Sequence, residues 1–380
     1  KNTAPAIYIA SKLVNEKENL LILPSDHYIG KNNVFAKAIN NIIILNQTKK
    51  WITFGVKPNF PSTSYGYIKL NQNSLSKTII DIKGFVEKPN LLEAKQLLSS
   101  KNTLWNSGIF FGNAKMIIKS IKQHAPSISE HCDLVLKNSK LSEKMNEFSF
   151  DLKLFKKIPS LPIDKAVMEK SNNISCYPIN CEWNDVGSWE RFFACFPIKN
   201  NSKKLVQVNS KNNLIKTDKR LIATIGVKDL IIVDSNDATL IAKRGLEENM
   251  RDLISCMTNE NIPEISENIF ENRPWGKFEN LFVSKNLKIK KITVNPKSRL
   301  SKQFHYFRSE HWFITQGKGS IFLDGEVINL KKGNSIDIPK KSIHYIENQT
   351  DKVLIFIEIQ MGTYFGEDDI VRIDDLYERK

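Results

Sequence analysis

Four side chains that can bind a metal ion lie in two short stretches near the C-terminal end of the chain. Gln303 and His305 belong to the first stretch, and in a β-strand they point to the same side of the sheet. Glu310 follows them, and His344 ends the second stretch. This mixed nitrogen and oxygen ligand set suits zinc, but also manganese, iron or cobalt. The sequence therefore predicts a divalent metal site without choosing the metal.

The spacing of these residues resembles the two-part signature of the cupin barrels. The signature's first block has a His-x-His pair, a Glu and a closing Gly, and its second has Gly, Pro, His and Asn. The matching residues here are Gln303, His305, Glu310 and Gly317, then Gly333, Pro339, His344 and Asn348. Lys297 and Lys341 stand where Gly is usual. Because both blocks match, we favour a metal site over ordinary histidines on a barrel wall.

Length, composition and cysteine count limit the class of protein. A chain of 380 residues with 41% hydrophobic residues can hold two or three domains with sizeable cores. It has no unbroken apolar run long enough to cross a bilayer and no signal peptide pattern. The five cysteines are an odd number without paired short spacing. We therefore expect a reduced, cytoplasmic compartment and no membrane partner.

The formal net charge of +15 invites a nucleic-acid interpretation, but the excess is almost entirely lysine. No Arg precedes Arg191, and Arg is the side chain preferred for bidentate recognition of bases and phosphates. We therefore predict no nucleic-acid partner. A lysine-rich surface is expected to attract phosphorylated small molecules.

The pattern of predicted elements divides the chain into three regions. Residues 1–200 alternate strands and helices and are predicted to form a Rossmann-like α/β domain. Within it, Leu20–Leu23 is predicted to be a buried parallel strand that presents Asp26 at its carboxyl end, where α/β sheets bind ligands. Residues 201–264 are predicted to be a short β-rich linker region. Residues 265–380 are predicted to be an all-β cupin barrel.

Particular elements follow from the same patterns. Strands are predicted at 51–56, 67–70, 78–86, 104–111 and 174–178, and helices at 91–98, 115–124 and 163–170. Asn90 is predicted to cap the first of these helices. Residues 183–189 are predicted to form a loop. In the second half, a helix is expected at 246–257 and an acidic connector at 259–272.

Five motifs occur in the order of a known family. They are Pro24-Ser25-Asp26-His27, Phe85-Val86-Glu87-Lys88-Pro89, Trp105-Asn106-Ser107-Gly108, Trp183-Asn184-Asp185-Val186-Gly187-Ser188-Trp189 and Arg273-Pro274-Trp275-Gly276. With them the chain resembles the type II mannose-1-phosphate guanylyltransferase/mannose-6-phosphate isomerase family. That bacterial family joins a GT-A-like sugar nucleotidyltransferase domain to a cupin.

For the first domain, the resemblance implies attack of mannose 1-phosphate on the α-phosphorus of GTP, giving GDP-mannose and pyrophosphate with Mg²⁺. Lys88 is a point charge suited to the sugar phosphate, and Glu87 and Asn106 can bond sugar hydroxyls. Asp26 and Asp185 are candidates to hold Mg²⁺.

Two further expectations concern the same domain. Gly66 would let the sugar approach the backbone. The family's glycine-rich phosphate loop, with its Arg and Lys, has no counterpart in the sequence, and Asn2-Thr3-Ala4-Pro5 resembles a segment well inside the family's domain. We therefore expect the first strand and phosphate loop to be missing and nucleotidyl transfer to be lost in this fragment.

For the cupin, the resemblance implies isomerisation of mannose 6-phosphate to fructose 6-phosphate at the metal. Arg372 is the candidate for the sugar phosphate, with Arg299 and Arg308 as further candidates. Phe307 and Tyr345 stand where the family has His and Arg, and both are expected to line the pocket.

Other interpretations stay open at this point. One is a non-catalytic cupin that binds a sugar phosphate or stabilises a homodimer, attached to a degenerate nucleotidyltransferase domain. Another keeps the enzyme but changes the sugar to glucose 1-phosphate, although the fused cupin favours mannose. The choice between GTP and ATP and the oligomeric state are also open.

Overall fold

The computed structural model describes residues 1–45, 50–71, 78–142, 147–197, 204–217, 220–246, 249–265 and 270–374. The chain forms two compact units, Lys1–Ile198 and Lys199–Lys380. The predicted boundary between residues 200 and 201 lies outside the described residues. Across the described ranges, no helix has both the length and the apolar character needed to cross a membrane. All five cysteines are free thiols.

The first unit alternates strands and helices, as the sequence pattern predicts. Its helices are α1 (Thr3–Lys12), α2 (Asn32–Leu45), α3 (Leu91–Ser99), α4 (Ala114–His124), α5 (Pro126–Lys137), α6 (Leu152–Lys157), the π-helix Asp164–Met168 and α7 (Trp189–Cys195). Its strands are β1 (Asn19–Ile22), β2 (Tyr28–Ile29), β3 (Trp51–Val56), β4 (Gly66–Leu70), β5 (Ile80–Glu87), β6 (Thr103–Asn113), β7 (Lys140–Ser142), β8 (Glu147–Ser149), β9 (Ile174–Ile179) and β10 (Trp183–Asn184).

A six-stranded sheet with the order β1-β6-β3-β9-β5-β4 forms the centre of this unit. Only β3 and β9 pair in parallel among these described strands, and the other neighbours are antiparallel. The prediction of a buried parallel strand at Leu20–Leu23 is therefore wrong. The strand is antiparallel to β6 and lies half-buried at the sheet edge, where only one neighbour covers it.

Helices cover both faces of the sheet, which explains the continuous apolar run of β3. Trp51 belongs to a core with residues of α1, α4 and α5, whereas Ile52 and Phe54 belong to a second core with residues of α2 and α3. This alternation follows from the two-residue period of a strand. The predicted cap is confirmed, since the Asn90 side chain accepts a hydrogen bond from the Glu93 N–H at 2.9 Å.

Two other predictions for the first unit need correction. The helix expected at 163–170 is the π-helix Asp164–Met168, which is held between Pro162 and Lys170 by 2.9 to 3.0 Å backbone bonds. The segment expected as a loop at 183–189 begins with β10, which pairs antiparallel with β2. In this pairing Trp183 lies opposite Ile29. The backbone N–H groups of Gly30 and Lys31 donate hydrogen bonds to the carbonyls just before Trp183, which extends the contact between the two segments.

The second unit begins with short strands and one helix. They are β11 (Leu205–Val208), β12 (Leu214–Thr217), β13 (Ile222–Ile225), β14 (Leu230–Asp234), β15 (Thr239–Lys243), α8 (Met250–Asn259) and a 3-10 helix at Pro263–Ile265. β11 pairs in parallel with β13, and β12 with β14. The helix expected at 246–257 is shifted to 250–259, and the connector expected at 259–272 contains the 3-10 helix and the start of the next strand.

The rest of the unit is an antiparallel β structure of two six-stranded sheets, as expected for a cupin. Its strands are β16 (Phe270–Arg273), β17 (Gly276–Val283), β18 (Leu287–Val294), β19 (Ser298–Arg299), β20 (Lys302–His305), β21 (Arg308–Gln316), β22 (Lys318–Leu323), β23 (Glu326–Lys331), β24 (Ser335–Ile338), β25 (His344–Asn348), β26 (Leu354–Gly362) and β27 (Ile370–Asp374). Side chains from both sheets, including Trp312, Ile346 and Phe356, form one core.

The four positions of the cupin signature at which Gly is usual lie in turns with left-handed backbone. Gly317 has φ +82° and Gly333 has φ +89°. Lys297 and Lys341 adopt the same region, with φ +56° and +66°, where a side chain is disfavoured and Gly is the usual residue. The Lys341 N–H donates to the His305 carbonyl at 2.7 Å, so this turn fixes the backbone of a predicted metal ligand.

Candidate functional sites

In the first unit, three of the predicted site residues meet on neighbouring strands. Gly66 on β4 pairs with Glu87 on β5, and β4 also pairs with β6, which carries Asn106. A Cβ placed on Gly66 would lie 2.4 Å from Glu87 Oε2 and 3.5 Å from the Asn106 Cβ. Gly66 therefore leaves the space that the Glu87 carboxylate occupies.

Asn106 is fixed by a hydrogen bond on each side of its amide. The Thr53 hydroxyl donates to Asn106 Oδ1 at 2.8 Å, and Asn106 Nδ2 donates to Asp164 Oδ1 at 3.0 Å. Sequence reasoning missed Asp164, which begins the π-helix. A carboxylate two residues after Pro162 at a helix start was the available signal.

The two carboxyl groups of this cluster are harder to ionise than usual. Burial raises the pKa of Glu87, and the nearby Asp164 raises it further, whereas Lys88 acts to lower it. Burial also raises the pKa of Asp164, against the opposing hydrogen bond from Asn106. Lys88 directly follows β5 with φ +47°, a strained conformation of the kind often found at functional sites. The cluster thus places one ammonium group beside two half-buried carboxyls and an oriented amide.

Asp185 lies in a separate group of contacts in the same unit. Its Oδ1 accepts hydrogen bonds from the Tyr65 hydroxyl at 2.7 Å and from Arg191 at 2.8 Å. The Arg191 guanidinium also stacks over the Tyr65 ring at 4.6 Å. Sequence reasoning did not predict Arg191. The Arg191 guanidinium neutralises the Asp185 carboxylate. A Mg²⁺ ion bound by Asp185 would therefore have to displace Arg191 or share the carboxylate with it.

Asp26 is exposed at the turn before β2, and His27 connects it to the Asp185 segment. Trp183 Nε1 donates to His27 Nδ1 at 3.1 Å. Burial lowers the pKa of His27, although the charges of Asp26 and Asp185 oppose this shift. Both carboxylates therefore act on one imidazole, which agrees with their assignment to one region of the domain.

The second unit brings together three of the four predicted metal ligands. His305 ends β20, Glu310 lies on β21, and His344 begins β25. His305 Nε2 lies 3.1 Å from Glu310 Oε1, and His344 Nε2 lies 3.7 Å from Glu310 Oε2. All three side chains are buried, and their ligand atoms lie within 4.8 Å of one another.

The protonation states of these residues suit a metal ion. His344 Nδ1 contacts the Ser342 carbonyl at 2.9 Å, so Nδ1 carries the proton and Nε2 presents its lone pair to the site. Burial lowers the pKa of His344, which favours the neutral imidazole. Burial opposes ionisation of Glu310, but hydrogen bonding and the charges around it lower its pKa on balance. The site thus offers the neutral imidazole of His344 and the carboxylate of Glu310.

Unsatisfied nitrogen atoms give an independent test of the fit. Within the described part of the chain, His305 Nδ1 and His344 Nε2 are buried without a hydrogen-bond partner, and His305 Nε2, although 3.1 Å from Glu310 Oε1, is not aligned for a hydrogen bond. An unpaired buried polar atom costs about 1 to 3 kcal/mol, so such atoms require an explanation. A divalent cation would take one nitrogen from each imidazole, which accounts for His344 Nε2 and for one of the two His305 nitrogens, and the donor set fits zinc or a related metal.

Gln303 lies next to this group but forms its own set of contacts. Its Cα is paired with that of His344 on one side and with that of Arg372 on the other. Its side chain lines a small cavity of about 50 Å³ together with Glu310. The other lining residues are Arg273, Trp275, Phe278, Lys290, Ile292, Leu300, Ser301, Arg308, Glu358, Gln360, Glu367, Ile370 and Arg372.

The three arginines proposed for the sugar phosphate are in different positions. Arg372 lines the cavity, and its guanidinium contacts Glu367 at 3.3 Å. Arg308 also lines the cavity but is fully buried, and it donates to the Gly366 carbonyl at 3.2 Å. Arg299 does not line the cavity, since it pairs with Asp374 at 2.6 Å and stacks over Tyr345.

The expectation that Phe307 and Tyr345 line the pocket is wrong. Phe307 is 53% exposed and contacts the Tyr364 ring edge-to-face. Tyr345 stacks on Phe322 with ring centroids 5.2 Å apart. Tyr345 points away because its strand neighbours His344 and Ile346 occupy the inward positions, whereas Phe307 lies in the bend between β20 and β21.

A buried polar network beneath the metal ligands was also missed. Gln360 Nε2 donates to Glu310 Oε1 at 3.0 Å and to Glu358 Oε1 at 2.8 Å. Lys290 Nζ lies 3.6 Å from Glu358 Oε1. Burial, together with the charge of Glu310, raises the pKa of Glu358 to about 7, although Lys290 opposes this. The network ties a metal ligand to three further cavity residues.

The fold and these sites define a class: a nucleotidyltransferase-like α/β unit followed by a cupin with a metal-ligand cluster. Family comparisons agree with this division. The family described as nucleotidyl transferase matches residues 1–202, the mannose-P isomerase/GMP-like β-helix domain matches 203–255, and the mannose-6-phosphate isomerase C-terminal family matches 259–375.

Relatives cover the whole chain. A mannose-1-phosphate guanylyltransferase of Salmonella montevideo is 34% identical, over 100% of this chain and 82% of the relative. The alginate biosynthesis protein AlgA of Pseudomonas aeruginosa is 33% identical, over 100% and 80%. The chain belongs to the family of mannose-1-phosphate guanylyltransferases with a C-terminal mannose-6-phosphate isomerase domain.

A solved structure supports the same assignment. It is described as mannose-1-phosphate geranyltransferase from Thermus thermophilus, with 25% identity and a TM-score of 0.58, and covers 68% of this chain and 75% of that one. The comparisons do not support the expectation that the first strand and phosphate loop are missing and transfer is lost.

Proposed function

We propose that the first unit catalyses the reaction of GTP with mannose 1-phosphate to give GDP-mannose and pyrophosphate. The observation that carries this proposal is the cluster around Asn106, where an oriented amide, two half-buried carboxyls and the Lys88 ammonium lie together. Sugar hydroxyls need such paired donors and acceptors, and a sugar phosphate needs a cation beside them.

Each residue of the cluster has a role in this proposal. Lys88 holds the phosphate of mannose 1-phosphate and so orients the attacking oxygen towards the α-phosphorus. Glu87 accepts from a sugar hydroxyl, and Asn106 is held in one orientation by Thr53 and Asp164. Gly66 keeps the approach to Glu87 open. The names of the relatives support mannose over glucose.

Mg²⁺ enters with the triphosphate as part of the substrate. We propose that Asp26 and Asp185 receive it, with Arg191 moving from Asp185 to the charge that develops on the phosphates. The bidentate contact of Arg191 with Asp185, at 2.8 and 2.9 Å, supports this exchange, because a guanidinium binds a carboxylate and a phosphate with the same fork.

For the cupin we propose isomerisation of mannose 6-phosphate to fructose 6-phosphate. Gln303, His305, Glu310 and His344 would hold zinc or another divalent metal, which supplies polarisation of the substrate oxygens. Arg372 holds the phosphate at the cavity mouth, and Arg308 fixes the charge of Glu310 from 3.6 Å away. The unpaired imidazole nitrogens support the metal.

Two assays on the full gene product test the proposal with matched controls. With GTP and mannose 1-phosphate, Lys88→Met should abolish GDP-mannose formation, whereas Lys83→Met on β5, the strand that Lys88 follows, should not. With mannose 6-phosphate, His305→Ala combined with His344→Ala should abolish fructose 6-phosphate formation, whereas His311→Ala should not. Full isomerase activity in the double variant would show that the cupin metal is not needed.

A non-catalytic cupin is the alternative. It predicts that mannose 6-phosphate binds without turnover, so calorimetric binding in the absence of product would favour it. A cytoplasmic location is part of our proposal, and the five free thiols support it.

A further inference from the structure

Gln360 is one of the most enclosed polar residues of the cupin cavity. It lies on β26, where the inward positions change from apolar to polar along the strand, in the order Leu354, Phe356, Glu358 and Gln360. Its Cα is paired with that of Glu310 on the neighbouring strand. Gln360 is 1% exposed, yet its side chain borders the cavity.

Two carboxylates fix the direction of its amide. Gln360 Nε2 donates one hydrogen to Glu310 and the other to Glu358, at 3.0 and 2.8 Å. The flipped amide would place its carbonyl oxygen 3.0 Å from the ionised Glu310 carboxylate, which repels it. The orientation of Gln360 is therefore determined by its neighbours rather than by its own rotamer preference.

The carbonyl oxygen that results from this orientation has no partner. Among the residues that the structure describes, none forms a hydrogen bond with Gln360 Oε1, although the atom is buried. A buried acceptor that is held rigidly and left unpaired is prepared for a donor from outside the protein. Hydroxyl groups of a sugar are donors of this kind. They are neutral, so they add no charge beside Glu310 and Glu358.

The surroundings agree with a polyhydroxylated anion as the ligand. Lys290, Arg308 and Arg372 line the same cavity and supply positive charge, with Arg372 the most exposed of the three. The enclosed volume of about 50 Å³ admits only the leading end of a sugar. The phosphate therefore stays towards Arg372 while hydroxyl-bearing carbons reach inward.

We infer that Gln360 Oε1 is the acceptor for one hydroxyl of the sugar phosphate bound in the cupin. This inference rests on the proposed isomerase site and adds a recognition residue to it. Gln360 distinguishes sugar phosphates by the presence of that hydroxyl, and it also holds Glu310 beside the metal site.

Calorimetry with mannose 6-phosphate and a set of its deoxy analogues tests the inference. In the wild type, one deoxy analogue should bind about tenfold more weakly than mannose 6-phosphate, which corresponds to about 1.4 kcal/mol in binding free energy. The Gln360→Met variant should bind mannose 6-phosphate about tenfold more weakly than the wild type does. The variant should bind that same deoxy analogue no more weakly than it binds mannose 6-phosphate. The outward-facing Met361→Leu on the same strand is the control and should change nothing.

Three results would overturn the inference. The first is an unchanged affinity of Gln360→Met for mannose 6-phosphate, and the second is an unchanged loss of affinity for every deoxy analogue in that variant. The third is loss of the metal from Gln360→Met, measured by elemental analysis, which would mean that Gln360 only supports Glu310. Should that variant fail to fold, Gln360→Asn withdraws the amide by one carbon and should weaken binding similarly. Binding without turnover in the wild type would reject the isomerase proposal alone, and the absence of binding would reject both.

Discussion

Replacing Glu358 with Gln should change how the stability of the protein depends on pH. Burial and the charge of Glu310 raise the pKa of Glu358 from 4.5 to about 7. Because the folded pKa is above the unfolded one, the stabilisation from the protonated carboxyl is complete below pH 4.5 and is lost as pH rises through 7. Glutamine resembles the protonated carboxyl at every pH.

The size of the effect follows from this gap in pKa. A shift of about 2.5 units at about 1.4 kcal/mol per unit corresponds to about 3 kcal/mol. The unfolding free energy of Glu358→Gln minus that of the wild type should therefore increase by about 3 kcal/mol between pH 4.5 and pH 8.

Urea unfolding at several pH values measures this difference. A chelator must be present, since a cation bound by Glu310 would lower the pKa of Glu358. The exposed Glu326→Gln on β23 serves as the control and should give a difference that is constant with pH. A difference for Glu358→Gln that is also constant would refute the account of this buried carboxyl.

Three other substitutions have expected outcomes. Gly276→Ala should destabilise the fold by about 3 kcal/mol or more in urea unfolding, because its Cβ would lie 2.0 Å from the Thr293 carbonyl oxygen; Gly325→Ala, with open space around it, should cost less. Asn348→Leu should cost about 3 kcal/mol in the same assay, since the Asn348 amide donates to three backbone carbonyls at 2.8 to 3.2 Å. Gly66→Ala should lower GDP-mannose formation at least tenfold by displacing Glu87, while Gly84→Ala, which meets nothing within 4 Å, should leave it unchanged.

Residues with fixed spacing could be predicted from the sequence. His305, Glu310 and His344 lie in two blocks whose turns determine where each side chain points, so the spacing alone brings them to one place. The cap at Asn90 is equally local. The antiparallel direction of β1 could not be predicted, because a short apolar run does not reveal which strand it will pair with.

The buried network was hidden by a misleading pattern. In β26 the apolar residues Ile355, Ile357 and Ile359 alternate with Glu358 and Gln360, so the pattern predicts that the polar pair faces solvent. The structure has the reverse, because Leu354 and Phe356 anchor their face of the strand in the core. Hydrogen bonds from other strands then satisfy the polar pair, and sequence patterns do not register such distant partners.

One phosphorus NMR spectrum tests the central claim of two activities in one chain. The full gene product is incubated with GTP, Mg²⁺, a divalent transition metal, mannose 1-phosphate and mannose 6-phosphate. We expect new resonances from GDP-mannose and pyrophosphate, and a separate one from fructose 6-phosphate. Unchanged signals from both mannose phosphates and from GTP would contradict the account.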